Sequence, residues 1–202
     1  MIKNKIICEI NNFYHPLNNA MDINMNKVQT PSRNTEVQTF KVGDLAVYPA
    51  HGVGRIEAIE ERVVNGQQHH FYIMKVIENS LVIMIPIWNV EQVGLRNIIS
   101  ENEISKVYDV MKKNRDAPVD KQTWNRRYKE YMDKIKTGSL YDVAEVFRDL
   151  FMLKTTKDLS FGERKLYDTA QVLLLTELST ARNTDEQTIL SEIKSLFLNI
   201  TQ

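Results

Sequence analysis

The stretch best equipped for recognition chemistry is Thr123-Trp-Asn-Arg-Arg-Tyr-Lys-Glu-Tyr-Met-Asp-Lys-Ile-Lys136. From Lys112 to Lys136 nine lysines and arginines stand against four acids, on a chain whose 26 basic and 26 acidic residues cancel. A local basic stripe on a neutral chain points to a polyanionic partner more firmly than total charge does. Trp124 falls in what the spacing makes the first turn of a helix, with Arg126, Arg127 and Lys129 off the stripe and close to that turn and Tyr128, Tyr131 and Ile135 as the inward stripe. Cations beside the positive end of a helix are locally unfavourable, and a phosphate docked on the free N–H groups there relieves this. Spacing alone equally allows Trp124 to continue the stripe into a core, with the cations as a solvated face.

Other chemistries find little footing. Gly52-Val-Gly54 lies between two strand patterns, whereas a dinucleotide fingerprint opens a helix. No phosphate-binding P-loop and no Gly-x-Ser-x-Gly elbow occurs. The single cysteine, Cys8, excludes a disulfide framework and a Cys-based zinc site. His69 and His70 are adjacent on a predicted strand, so they point to opposite faces and cannot share a metal. No catalytic constellation is present, and neither a cofactor nor a metal is expected. No apolar run approaches the ~18 residues of a membrane span; a cytoplasmic-type protein is expected.

Two kinds of element must position these residues. Residues 40–99 alternate apolar and polar side chains, with turn signals at His51-Gly-Val-Gly54, Asn65-Gly66 and Glu78-Asn79-Ser80. This predicts four or five antiparallel strands in a small curled sheet or barrel. The run Leu81–Ile87 is nearly all apolar, with Pro86 limiting or ending the strand. Residues 100–202 carry helix starts at Ser100-x-x-Glu103, Ser139-x-x-Asp142, Ser160-x-x-Glu163 and Thr184-x-x-Gln187. Each precedes an apolar stripe at helical spacing, and a further helix over about 122–136 makes five. The fold class is α+β, a sheet domain followed by an all-helical domain, with the boundary near Ser100. Residues 1–39, with eight asparagines and no glycine, are expected to be a disordered extension carrying no nameable chemistry.

Four ordered motifs resemble the CarD/CdnL family of bacterial transcription regulators. They are Phe40-Lys-Val-Gly-Asp-Leu-Ala-Val-Tyr-Pro-Ala-His-Gly-Val-Gly54, Trp124-Asn-Arg-Arg-Tyr-Lys129, Val143-Ala-Glu-Val-Phe-Arg-Asp-Leu150 and Leu159-Ser-Phe-Gly-Glu-Arg-Lys-Leu166. The first domain resembles the polymerase-interacting module of transcription-repair coupling factor. The resemblance runs from about Phe40 to Phe197 and leaves out the first 39 residues. It implies a Tudor-like sheet domain that binds the β subunit of RNA polymerase, in a protein expected to be monomeric. It further implies a helical domain on the minor groove of promoter DNA at the upstream edge of the melted bubble, stabilising the open complex. By position Trp124 is then the wedge, and Arg126, Arg127, Lys129, Arg164 and Lys165 are the surrounding DNA-binding cations. On the polymerase side it implies Arg62 and the strand residues Ile83, Met84 and Ile85. Met84 departs from the arginine of some relatives, which leaves an apolar contact there. The rival reading is an adaptor on the polymerase without direct DNA contact. The first-turn position of the cations predicts phosphate contacts, and Trp88, at the end of the sheet domain, is expected to be ordinary packing.

Overall fold

The computed structural model describes residues 6–7, 40–64, 66–113 and 123–200. A six-stranded sheet in the order β1-β5-β4-β3-β2-β6 comes first in space. Its strands are β1 (Ile6–Ile7), β2 (Leu45–Tyr48), β3 (Gly52–Val64), β4 (Gln67–Val76), β5 (Val82–Pro86) and β6 (Arg96–Asn97). All pairings are antiparallel except β1 on β5. In the β3–β4 hairpin Val64 pairs with Gln67, and Gly66 stands at φ 79°, the left-handed backbone a tight hairpin turn favours. A bulge between Ile56 and Ala58 bends the long hairpin arm and raises its twist. The first strand is shorter than the alternation predicts. Gly43 at φ 96° and the Asp44 carboxylate, which accepts from the Lys41 N–H at 2.7 Å, make a turn before Leu45.

One face of this sheet is a core of Tyr48, Ile56, Tyr72, Met74, Val76, Ile83 and Ile85, closed by Val90 and Leu95 from α1 (Val90–Val93) and the residues after it. Pro86 ends β5 by leading into a 3-10 turn, Ile87–Asn89. The tail predicted to lack structure contributes one strand, β1; its remaining residues lie outside those described.

Five helices follow: α2 (Glu101–Lys112), α3 (Trp124–Lys136), α4 (Leu140–Thr156), α5 (Phe161–Arg182) and α6 (Glu186–Ile200). The predicted stripes of α2, α4, α5 and α6 meet in one core around Val107, Phe147, Leu150, Leu174 and Ile193. The box at Ser160 forms in full, and Ser139 caps α4 through the Asp142 N–H. At Ser100 the hydroxyl instead donates to the Glu103 carboxylate at 2.7 Å. The last start lies one residue beyond the predicted Thr184. The Asp185 carboxylate accepts from the Thr188 N–H at 2.9 Å and does the capping, because a carboxylate suits the positive helix end better than a hydroxyl.

The two domains are joined by more than the chain. Arg96 of β6 forks the buried Glu177 of α5, with Nη1–Oε1 at 2.6 Å and Nη2–Oε2 at 2.9 Å, while its Nε donates to the Gly138 carbonyl at 2.7 Å. The Ile99 N–H adds a third bond to Glu177 at 3.0 Å. Gly138 ends α3 at φ 75° with Pro49 so close that a Cβ would stand 2.9 Å from Pro49 Cγ. A side chain there would force the sheet domain away from the bundle.

Candidate nucleic-acid interface and sheet edge

Helices α3 and α5 begin side by side, and one carboxylate holds both beginnings. Glu163 closes the capping box of α5 by accepting from the Ser160 N–H at 2.9 Å, while Ser160 Oγ accepts from the Glu163 N–H at 3.3 Å. Its other oxygen accepts from Arg127 Nη2 at 2.8 Å. Burial pushes the Glu163 carboxyl up, but the Ser160 bonds and the charges of Lys157 and Arg127 outweigh it and hold the group below the ordinary carboxylate range.

Trp124 opens α3 on this platform. Its indole lies against Gly162, where a Cβ would come within 2.6 Å of Cζ2. The Tyr128 ring centroid is 5.5 Å away and the Arg127 guanidinium 5.8 Å from the indole centroid. The ring is half-buried against the helical core. Beside it Phe161, the first residue of α5, is 88% exposed. Large aromatic rings are seldom left that bare without a partner. Arg126 and Lys129 on α3 and Arg164 and Lys165 on α5 are exposed, and among the described residues none of the four is held in an ion pair.

Two expectations change. Arg127 is buried and paired with Glu163, whereas its helix-start position led to the expectation of an exposed cation. Tyr128, expected inward, is 45% exposed. The inward row of α3 is Arg127, Tyr131 and Ile135, three residues strictly four apart. The buried Glu163 demands a counter-charge, and turning α3 to deliver Arg127 swings Tyr128 out. Phe161 escaped the sequence reading. The available signal was a large aromatic next to a capping serine, off the Leu166/Ala170/Leu173 stripe. Of the basic stripe, Arg115 and Lys121 lie outside the described residues.

On the sheet, Arg62 is exposed near the hairpin end, ion-paired with Glu60 and directly opposite His69. Register puts Arg62, His69, Phe71, Ile73 and Met84 on the sheet face away from the core, since side chains alternate. Trp88 folds over this face with its ring centroid 4.4 Å from His69 and 5.2 Å from Phe71. It is 58% exposed and is not the ordinary packing expected, because the 3-10 turn after Pro86 carries it outward. Ile83 and Ile85 are 2% and 1% exposed with their side chains in the core, so neither side chain is presented at the surface. Met84 alone of the three turns outward, half-buried. Strand β1 lies along the β5 edge, Ile6 opposite Val82 and Ile7 opposite Ile83.

Among the described residues no group of His, Cys, Asp and Glu could hold a metal ion, and no helix is long and apolar enough to cross a membrane.

The arrangement has known counterparts. The CarD-like/TRCF RID domain family model matches residues 40–99, and the CarD C-terminal domain family model matches residues 106–194. The chain is similar to "Putative transcription factor YdeB" of Bacillus subtilis (strain 168), 34% identical over 155 residues that cover 75% of this chain and 98% of that one. A solved structure, CdnLNt from Myxococcus xanthus, matches at 53% identity over 32% of this chain and 90% of its own, with a TM-score of 0.28. The sheet module and the helix bundle thus each answer to one half of the same two-domain plan, and the chain belongs to the CarD family of transcription factors.

Proposed function

We propose that the protein binds the RNA polymerase β subunit through its sheet domain and promoter DNA through the paired starts of α3 and α5, stabilising the melted promoter. The observation that carries this reading is the aromatic pair Trp124 and Phe161 at adjoining helix starts, with four exposed cations on the same two helices that form no ion pair among the described residues. An apolar ring at a base step exploits a duplex already distorted at the bubble edge, while cations beside it neutralise phosphates. A differential affinity of about 1.4 kcal/mol for the open state shifts the open-to-closed ratio about tenfold, within reach of a small interface.

Binding to a DNA fragment with a pre-formed bubble, followed over a range of salt concentrations, tests the DNA arm. Affinity should fall linearly on a log–log plot as salt rises. Absence of any binding at low salt, with polymerase binding retained, would leave the adaptor reading.

A further inference from the structure

Without β1, strand β5 would be the outer edge of the sheet. Its sequence Val82-Ile83-Met84-Ile85 carries no charge and no proline before Pro86, the devices by which exposed edges are usually kept from pairing. The opposite edge is closed by the two-residue β6. The β5 edge is closed by Ile6–Ile7, from a part of the chain that lies before both matched family domains. The cover of this edge therefore comes from outside the two matched family domains.

We infer that Ile6–Ile7 occupies in cis the edge by which the sheet domain pairs with RNA polymerase, so that the N-terminal extension and the polymerase compete for β5. This rests on the polymerase reading given above. A two-residue strand is weak by itself, but covalent attachment gives it an effective concentration that can reach the millimolar range. The apparent dissociation constant of an incoming partner rises by the inverse of the fraction of open edge, so an edge free about one-tenth of the time weakens binding about tenfold. The register leaves an opening. Ile6 and Ile7 sit opposite Val82 and Ile83, so β1 leaves the segment from Met84 to Pro86 for a partner strand to engage first and then displace it.

The test uses the full chain and a full-chain double variant, Ile6→Pro with Ile7→Pro, which removes the donors and strand geometry of β1 while leaving the folded domains alone. Titration against purified RNA polymerase core should show the variant binding about three- to tenfold more tightly, as expected if the open-edge fraction rises by that factor. Amide exchange from Val82 to Met84, measured without polymerase, should be faster in the variant. Equal affinity of the two chains, or weaker binding by the variant, overturns the competition while leaving polymerase binding in place. No binding by either chain instead removes the polymerase reading itself. Protection of the Val82–Met84 amides that grows with protein concentration assigns the covering strand to a second copy and overturns the cis arrangement.

Discussion

Arg127 and Glu163 meet at 2.8 Å under the indole of Trp124, one from the start of α3 and the other from the start of α5, and both are buried. Their sequence neighbours Arg126 and Arg164 lie in solvent. Adjacent arginines thus divide two tasks: one joins the helix starts and the other stays available to an anion.

Glu163→Gln should lower stability by about 3–5 kcal/mol, because it leaves the Arg127 charge buried without its counter-ion. Native Glu163 is held below its ordinary range, so its contribution is present above the ordinary carboxylate value and is lost as pH falls through the folded value. Melting temperatures of wild type and variant should therefore differ most near neutrality and converge in acid. A constant gap down to pH 3 would show that the carboxylate charge is not what matters.

Trp124→Ala should cost about 2 kcal/mol, roughly half of the 3–5 kcal/mol typical of a fully buried aromatic, since the ring is only partly buried. Open-complex lifetime should collapse by far more than that loss of stability accounts for. Melting measured beside promoter-complex lifetime separates the two. A large drop in melting temperature with unchanged lifetime would return Trp124 to the core.

Gly162→Ala places a methyl where the indole rests, 2.6 Å from Cζ2. Because alanine also suits the first helical turn better than glycine, the fold should hold while the ring is displaced. In a Trp88→Phe background the remaining fluorescence should shift, and the promoter effect should fall with little change in melting.

Single neutralisations of Arg126, Lys129, Arg164 or Lys165 should each lower DNA affinity alike on unrelated promoters and reduce the salt slope by about one unit. Arg127→Met should leave that slope unchanged in the protein that remains folded, since the pair with Glu163 already neutralises Arg127. A slope change at Arg127 equal to that at Arg126 would refute the division of tasks.

Arg62→Glu and Trp88→Ala should each weaken recovery of the β subunit in a pull-down. The melting temperature should stay within a degree or two for Arg62→Glu, because surface changes usually stay within about 0.5 kcal/mol, and fall somewhat more for Trp88→Ala, which uncovers the buried Phe71. Both residues lie on the same outward face, and Trp88 is 58% exposed. Full recovery with both variants would shift the contact to the β5 edge.

Periodicity alone carried the sheet, the five helices and most of the core, because alternation and three-to-four spacing report burial directly. It failed where burial is set by a partner distant in sequence. No local pattern says that Glu163 is buried, so none says that Arg127 rather than Tyr128 faces inward. Likewise Trp88 looked like packing because it closes an apolar run, yet the turn after Pro86 redirects it. Phe161 was invisible for the opposite reason: it breaks a stripe instead of extending one. The strand at Ile6–Ile7 had no signal at all, since two residues carry no period.

The fork between Arg96 and Glu177, with Pro49 pressed against Gly138, leaves the sheet and the bundle little freedom to swing. A body braced in this way behaves as a caliper. On the proposed reading, Arg62 and Trp88 form one jaw and Trp124 and Phe161 the other, and a partner held by the first is presented to the second at the distance the brace sets. Position along a bound polymer would then be chosen by length, not by sequence.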